Sequence, residues 1–273
     1  SLDTSFNIGT GFDSDVSGLA VQSDGKIVVV GFFTNFNGTA QNYITRLNSD
    51  GTIDSTFATN IGSGATGTSI QRVSLQSDGK MVIIGSFSQF NGTARVNMAR
   101  LNSDGTLDMS YDPGSSIMIT AAIALATQSD DKSIIGGWVS NGIARITTSG
   151  TVDTFACCGF NGSPQTLAVQ PNGQIVVGGS FTMYTTGSVT QNHFARLNSD
   201  GTLDSSFATN IGTAVNTGGF VYAVRLQADG KILVGGEFSS FNATNQNGLT
   251  RLNSDGTIDS GFASTIGAAV GQG

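Results

Sequence analysis

Short apolar runs separated by turn residues dominate the hydrophobic pattern of the chain. The runs are rich in β-branched residues, as at 19–22 and 27–30 near the start and at 224–227 and 232–234 near the end. Asp-Gly or Asn-Gly pairs lie between such runs, which strongly indicates β-hairpins because glycine and asparagine tolerate positive φ. Helical periodicity is not convincing in any segment. The pattern therefore predicts an all-β chain.

Two turn elements recur along the chain and define a repeat. The element Gln-x-Asp-Gly-Lys and its variants begin at Gln22, Gln76, Gln128, Gln170 and Gln227. The element Arg-Leu-Asn-Ser-Asp-Gly-Thr and its variant begin at Arg46, Arg100, Arg145, Arg196 and Arg251. Each unit therefore holds two hairpins and about four strands, named a, b, c and d, which matches the four-stranded antiparallel blade of a β-propeller.

A third element, an apolar residue followed by Asp and then an aromatic, occurs six times. The copies begin at Leu2, Ile53, Leu107, Val152, Leu203 and Ile258. We expect a five-bladed β-propeller that forms a single domain over residues 1–273. Its units are approximately 1–52, 53–106, 107–151, 152–202 and 203–257, with a surplus strand at 258–273. Either chain end can supply the last strand d, and a segment cut from a longer array is the open alternative.

These elements resemble the delta-60 repeat of bacterial surface, secreted and phage-associated proteins. The resemblance rests on the Asp-x-x-Phe segment, the Gln-x-Asp-Gly-Lys-Ile turn and the Gly-Gly-x-Phe strand, and it covers essentially the whole chain. It implies a β-propeller in an extracellular, cell-surface or virion protein, in a family without an established enzymatic activity. The third copy departs from the pattern, because Asp131 replaces the turn glycine and only 17 positions separate Gln128 from Arg145, against 24 in the first copy.

The connections between strands differ in kind at the two edges of each unit. Because antiparallel strands alternate in direction, the a–b and c–d turns must share one edge, and the b–c and d–a connections must share the other. The turns are short and uniform, whereas the connections are long and unequal, as at 34–42, 58–71 and 208–220. Binding residues usually lie on loops carried by a rigid scaffold. We therefore expect the function on this variable loop face.

Charged residues are scarce and belong mostly to the repeat framework. They make up 11% of the chain, against about 25% in ordinary domains, and the net charge is −7. Lysine and arginine do not cluster, so we expect no nucleic-acid partner. No apolar run approaches the roughly 18 residues of a membrane helix, so we expect no membrane insertion. The strand-c arginines and strand-d aspartates recur together, which predicts ion pairs across the c–d hairpin.

Acid–base chemistry has little support in this composition. Such chemistry usually needs two convergent titratable groups, and the chain contains one His and one Glu. His193 occupies the position that Tyr43, Asn97 and Gly248 fill in other copies, which indicates an ordinary exposed strand position. We therefore expect the chain not to be an enzyme and to need no cofactor.

One strand-b position offers candidate binding residues. The residue before the strand-b aromatic is Phe32, Ser86, Trp138, Ser180 or Glu237, so the fold does not require a particular side chain there. Trp138, the single Trp, is suited to stacking on a sugar ring, with packing in the shortened third copy as the alternative. The candidate ligand-binding residues are Trp138, Phe32, Glu237, Arg95, Tyr43 and His193.

A trace of a calcium loop lies near the start of the chain. Asp13, Asp15 and Ser17, followed by Asp24 at the twelfth place, resemble an oxygen-ligand loop. The alternative is an acidic loop, because 19–22 matches strand a and Asp24 matches the recurring turn.

The two cysteines, Cys157 and Cys158, are adjacent and cannot join distant strands. We expect two free thiols, with a vicinal disulfide as the alternative.

These observations predict a non-enzymatic module for surface recognition or adhesion, which binds a glycan or a protein receptor through the variable loop face. A charge-poor chain rich in Asn, Thr and Ser suits recognition of polyhydroxyl ligands. The alternative is a structural building block of a phage virion or tail, or of an extracellular surface assembly, that contacts only neighbouring subunits. Both hypotheses remain open at this level.

Overall fold

The structure is a computed structural model, and it describes residues 5–114, 119–155, 159–184, 189–216 and 218–262. The chain divides into two compact units, residues 1–133 with 146–152 and residues 134–145 with 153–273, and this division passes through the third repeat. The predicted thiols of Cys157 and Cys158 and the third-element copy at Leu2 lie outside the described residues. A single domain over 1–273 stays a prediction.

Three antiparallel strands in the order a–b–c form the body of repeats 1, 2, 4 and 5. Strand a spans Val16–Val21, Ala65–Leu75, Ile119–Thr127, Pro164–Val169 and Phe220–Leu226 in the five repeats. Strand b spans Ile27–Gly31, Met81–Phe90, Ser133–Val139, Ile175–Gly179 and Ile232–Glu237. Strand c spans Ile44–Leu47, Met98–Leu101, Ile143–Ile146, Phe194–Leu197 and Leu249–Leu252. The predicted all-β class is confirmed.

The predicted strand d is reduced to a single β-bridge in each repeat. The bridges join Leu47 to Ile53, Leu101 to Leu107, Ile146 to Val152, Leu197 to Leu203 and Leu252 to Ile258. A four-stranded blade is therefore not confirmed within the described residues.

Short helices follow the bridge at α1, Ser55–Asn60, and at α2, Ser205–Ile211. Residues 260–262, the last described ones, are also helical. The expectation that the chain has no helix is wrong at these segments. The carboxylate of Asp54 accepts hydrogen bonds from the backbone N–H groups of Thr56 and Phe57, which makes Asp54 the N-cap of α1. Aspartate at this position satisfies amides that the first helical turn leaves without partners. The Asp-Ser-x-Phe signal thus starts a helix instead of continuing a strand.

The b–c connections contain a second, smaller hairpin in four repeats. Its paired segments are Asn35–Phe36 with Thr39–Ala40, Gln89–Phe90 with Thr93–Ala94, Met183–Tyr184 with Val189–Thr190, and Ser240–Phe241 with Thr244–Asn245. Repeat 3 has a 3-10 helix at Ser140–Gly142. An aromatic residue recurs in each small hairpin and is buried: Phe36, Phe90, Tyr184 and Phe241. Within the described ranges, no helix has the length and apolar character needed to cross a bilayer.

Neighbouring repeats pack face to face within each unit. In the first unit, Val28 and Ile44 of repeat 1 share a core with Ile70 and Ile83 of repeat 2. The core between repeats 4 and 5 in the second unit contains Val176, Phe194, Val221, Val224 and Val234. Burial of these aliphatic side chains between sheets supplies the main favourable free energy of folding.

A strand-c arginine links each of the first four repeats to the next one. Arg46 Nε donates to Asp54 Oδ2 at 3.0 Å, and the guanidinium lies 4.5 Å from the ring centroid of Phe57. Its Nη1 donates to the backbone carbonyl of Ser103 in the c–d turn of repeat 2. The predicted pairing is confirmed in the other repeats by Arg100–Asp108, Arg145–Asp153, Arg196–Asp204 and Arg251–Asp259. The contact with the following repeat was not predicted.

Candidate functional site

A β-bulge interrupts strand a at the same place in repeats 1, 2, 4 and 5. The register shift leaves one extra residue on strand a, which is Ser17, Gln71, Gln165 or Tyr222. The strand-b residue near the bulge is glycine in all four repeats: Gly31, Gly85, Gly179 and Gly236. A Cβ at this position would overlap a backbone carbonyl oxygen of strand a or of the residue just before that strand. A bulge redirects a side chain. The glycine belongs to the framework, whereas the bulged residue is free to vary.

Repeat 5 uses its bulge to present an aromatic side chain beside a carboxylate. Phe220 begins strand a and Glu237 ends strand b, and the two residues are paired at the loop edge of the sheet. The Tyr222 hydroxyl donates to Glu237 Oε2 at 3.1 Å. The rings of Phe220 and Tyr222 are nearly parallel, at 9°, with centroids 6.0 Å apart. Tyr222 is 51% exposed, so one part of this group meets solvent. We name the group of Phe220, Tyr222 and Glu237 the aromatic shelf.

His193 lies behind the shelf. Its ring centroid is 5.6 Å from that of Phe220, and the residue is only 3% exposed. Burial lowers the pKa of His193 below its ordinary value, which keeps the ring neutral at pH 7. The ring therefore supports Phe220 as an uncharged packing group.

Burial and the neighbouring carboxylate act together on the phenol of the shelf. Burial raises the pKa of Tyr222, and the hydrogen bond to Glu237 and the charge of that carboxylate raise it further. The phenol therefore stays protonated at neutral pH and remains a donor. The shelf offers a flat apolar ring next to an exposed acceptor group.

Only one of the three shelf residues was among the sequence candidates. Glu237 was predicted, whereas Phe220 and Tyr222 were missed. Phe32 and Trp138, which share the strand-b position of Glu237, are 44% and 68% exposed. Comparison of strand a between repeats could have found the missed pair, because the aromatic residues at these two positions occur in repeat 5 alone.

Of the other candidates, Arg95 and His193 are buried and Tyr43 is half-buried. Tyr43 donates from its hydroxyl to the carbonyl of Gly67 at 2.9 Å, and Arg95, which is buried, donates to Asp112 Oδ2 at 3.1 Å. Tyr43 and His193 have φ of 68° and 66°, in the left-handed region. The expectation that His193 occupies an exposed strand position is wrong, because His193 lies in a bend before strand c and its buried ring packs against Phe220 of the next repeat. A role of these residues in ligand binding stays a prediction.

The candidate calcium ligands do not converge. Both carboxylate oxygens of Asp13 accept hydrogen bonds from Thr34 and Asn35, at 2.8 to 2.9 Å. The side-chain bond from Asn35 is the largest cause that holds the pKa of Asp13 well below its ordinary value. Ser17 donates to the carbonyl of Ile70 at 2.9 Å, and Asp15 is an exposed residue. The described part of the chain contains no group of three metal-ligating side chains, and the calcium-loop hypothesis is not supported.

Asn161 and Asn216 accept the same backbone hydrogen bonds in repeats 4 and 5 that Asp13 accepts in repeat 1. An amide oxygen serves there as well as a carboxylate does. The shared role is to hold the start of the b–c loop, so the charge of Asp13 is not what the position requires.

A cavity of about 640 Å³ lies at the opposite edge of the first unit. The a–b turns of repeats 1 and 2 and the c–d turn of repeat 2 line it, with Asp24, Asp78 and Asp104 among the lining residues. This shared lining confirms that the a–b and c–d turns lie at one edge. The same turn residues recur in other repeats, so the cavity follows from the packing of the framework.

A family model matches five segments of the chain, and its description is "Domain of unknown function (DUF5122) beta-propeller". The matched residues are 22–57, 76–111, 128–155, 170–207 and 227–262. The chain belongs to this family. The β-propeller prediction is confirmed at that level, while the more specific delta-60 name stays a prediction. No curated protein matches the DUF5122 chain significantly.

Solved structures share the fold of this DUF5122 β-propeller at low sequence identity. A gluconolactonase from Xanthomonas campestris is 18% identical over 81% of this chain and 69% of its own, with a TM-score of 0.51. PorZ, a surface component of the type-IX secretion system of Porphyromonas gingivalis, is 12% identical over 93% of this chain, with a TM-score of 0.52. The chain spans 34% of PorZ. A virginiamycin B lyase from Staphylococcus aureus is 18% identical over 82% of this chain and 64% of its own, with a TM-score of 0.49.

The expectation that the chain is not an enzyme is corrected by the gluconolactonase structure. The gluconolactonase is an enzyme with the same fold, so repeated propeller architecture does not argue against catalysis. The expectation drew on the scarcity of titratable residues and on a family resemblance, and neither excludes an active site. At 18% identity the likeness is one of fold, and it assigns no reaction to this DUF5122 chain.

Proposed function

We propose that the chain is a recognition module that binds a glycan or a protein on a surface through its b–c and d–a loops. One observation carries the proposal. Phe32, Trp138 and Glu237 occupy the same strand-b position in three repeats, and all three are exposed. The residue that follows this position is buried in every repeat. The buried neighbours are Phe33, Phe87, Val139, Phe181 and Phe238. Exposed large side chains that the core does not use commonly mark interaction sites.

The finer features of the chain belong to the same proposal. They are an extracellular, cell-surface or virion location, a count of five blades, and partners other than nucleic acid or the membrane interior. The five matched segments support the count of five blades. The net charge of −7 supports a partner other than nucleic acid. PorZ is a bacterial surface component, and its likeness supports the fold alone.

Binding to a glycan array and to bacterial and eukaryotic cells tests the recognition proposal. The chain should bind at least one glycan or cell type, and Trp138→Ala or Phe32→Ala should weaken that binding at least tenfold. Met109→Ala is the matched control, because Met109 is also an exposed apolar residue, at 66%, but follows Asp108 in the d segment. A blank array together with absent cell binding contradicts the proposal.

A second candidate function, a building block of an assembly, is favoured by two exposed apolar side chains of repeat 1. Leu19 and Val21 of strand a are 63% and 58% exposed. The equivalent Val73 and Leu75 of repeat 2 pack against the core that repeats 1 and 2 share. Repeat 1 therefore presents apolar side chains that a preceding repeat would cover.

Repeat 5 carries the complementary donor, Arg251. Arg46, Arg100, Arg145 and Arg196 donate from Nη1 to a carbonyl in the next c–d turn. Among the described residues, Nη1 of Arg251 has only the Gln227 side chain, at 3.4 Å. We propose that repeat 5 of one copy docks on Leu19 and Val21 of a second copy, with Arg251 donating to the Ser49 carbonyl. Such a head-to-tail contact extends into a ring or a filament.

Sedimentation velocity over a range of concentrations tests this assembly. The wild-type chain should associate, and Leu19→Asp or Arg251→Ala should weaken association at least tenfold, whereas Met109→Asp should not. A wild-type chain that stays monomeric at every concentration overturns the proposal. A monomer that Leu19→Asp strongly destabilises overturns it as well, because the face would then be covered within one molecule.

A further inference from the structure

Strand a of repeat 5 carries an aromatic pair that the repeat does not require. The position of Phe220 is occupied in the four other repeats by Asp15, Ser69, Ala121 and Ser163. The position of Tyr222 is occupied by Ser17, Gln71, Ile123 and Gln165. Residues without an aromatic ring therefore satisfy the fold at both positions. Two aromatic rings at one place among five repeats need another explanation.

The bulge turns Tyr222 away from the core. Val221 and Val224, on either side of it along strand a, are fully buried, whereas Tyr222 is half exposed. Phe220 stacks against one side of the Tyr222 ring, and His193 lies behind Phe220. The rings hold one another in place, so about half of the Tyr222 side chain meets solvent without the freedom of an isolated surface residue. A ligand that lies on a fixed ring loses little side-chain entropy from the protein.

Glu237 adds a hydrogen-bonding edge to this flat surface. Its Oε2 accepts the Tyr222 hydroxyl at 3.1 Å, and the side chain is exposed. The structure gives its Oε1 no partner within the described residues. Hydroxyl donors bonded to a carboxylate form stronger hydrogen bonds than neutral pairs do. The negative charge also disfavours ligands that carry carboxylates, sulfates or phosphates.

We infer that the aromatic shelf is a subsite for a neutral saccharide. The apolar C–H face of a sugar ring packs on Tyr222, and sugar hydroxyls donate to Glu237. Aromatic side chains combined with a few placed polar groups are common in small-ligand sites. The inference rests on the proposed recognition function and names its ligand class.

Titration calorimetry and ligand-observed NMR test the subsite with three neutral tetrasaccharides, cellotetraose, maltotetraose and laminaritetraose, and with trigalacturonic acid as an acidic comparison. At least one neutral sugar should bind, and the acidic sugar should bind at least tenfold more weakly. Tyr222→Ala should weaken binding at least tenfold and Glu237→Gln about fivefold, whereas Met109→Ala should leave it unchanged. Near-ultraviolet circular dichroism and the unfolding midpoint establish that each variant is folded.

The outcomes separate the subsite from the recognition proposal. Binding that survives both Tyr222→Ala and Glu237→Gln but is lost in Trp138→Ala overturns the subsite and retains the recognition function. Tighter binding of trigalacturonic acid, or of a quaternary ammonium such as choline, overturns the neutral-saccharide assignment. Absence of binding to every sugar, together with the blank array and cell assay described above, overturns both.

Discussion

Replacing Asp54 with alanine is expected to lower the free energy of unfolding by about 3–5 kcal/mol. Asp54 is buried, and its Oδ2 accepts hydrogen bonds from Lys26 at 2.7 Å and Arg46 at 3.0 Å. Its other oxygen caps α1 through the amides of Thr56 and Phe57. The substitution removes the cap and leaves the buried Arg46 guanidinium without its counter-charge. Urea unfolding at pH 7, with the midpoint and slope compared between variants, measures the effect.

The pH dependence of this loss gives a second readout. Burial acts to raise the pKa of Asp54, but the hydrogen bonds from Lys26 and from the Phe57 amide and the charge of Arg46 bring it to about 2. A carboxyl group whose pKa is lower in the folded chain than the value of about 3.9 in the unfolded chain stabilises the fold above pH 4. That contribution is lost as the pH falls towards 2. The difference between wild type and Asp54→Ala should therefore shrink over this interval.

Asp15→Ala is the control for the loss of one negative charge. Asp15 is exposed, and its replacement should change the free energy of unfolding by no more than about 0.5 kcal/mol. An Asp54→Ala variant as stable as Asp15→Ala at pH 7 would show that the Arg–Asp pair does not hold the c–d hairpin as inferred.

Alanine at Gly236 is expected to destabilise the second unit by about 3 kcal/mol, the upper part of the usual range for an overpacked interior. A Cβ at this position would overlap the backbone carbonyl oxygen of Phe220. That carbonyl cannot withdraw easily, because Val221 and Val224 of the same strand are fully buried. The strand must shift at the bulge, so the near-ultraviolet circular dichroism of the shelf aromatics should change along with the unfolding midpoint.

Gly235→Ala is a matched control one residue away. The nearest atoms to a Cβ at Gly235 are the Cβ of Ala223 at 3.8 Å and the carbonyl oxygen of Gly248 at 3.9 Å, which are ordinary contacts. This variant should therefore be about as stable as the wild-type chain, since alanine also restricts the unfolded state. Equal destabilisation by both substitutions would mean that general loss of backbone freedom, and not the bulge carbonyl, determines the result.

The hairpins and their ion pairs could be predicted because their signals are local. Asp-Gly turns at fixed spacing determine which strands are neighbours, and that spacing brings Arg46 opposite Asp54 across the c–d hairpin. The same aspartate misled the prediction of strand d. Its side chain bonds forward to the Thr56 and Phe57 amides, so it starts a helix, and an isolated apolar-Asp pair does not distinguish this from a strand.

The repeated spacing of turns and apolar runs was enough to predict the β-propeller family, the a–b–c hairpins, the edge shared by the short turns and the variable position of Glu237. The d-segment helices, the contact of each arginine with the following repeat and the burial of His193 depend on neighbouring segments. The aromatic shelf also depends on the bulge of strand a, because register against Gly236 and Glu237 turns Tyr222 outwards while Val221 and Val224 stay buried. Alternation along a strand cannot reveal a shift that pairing with another strand creates.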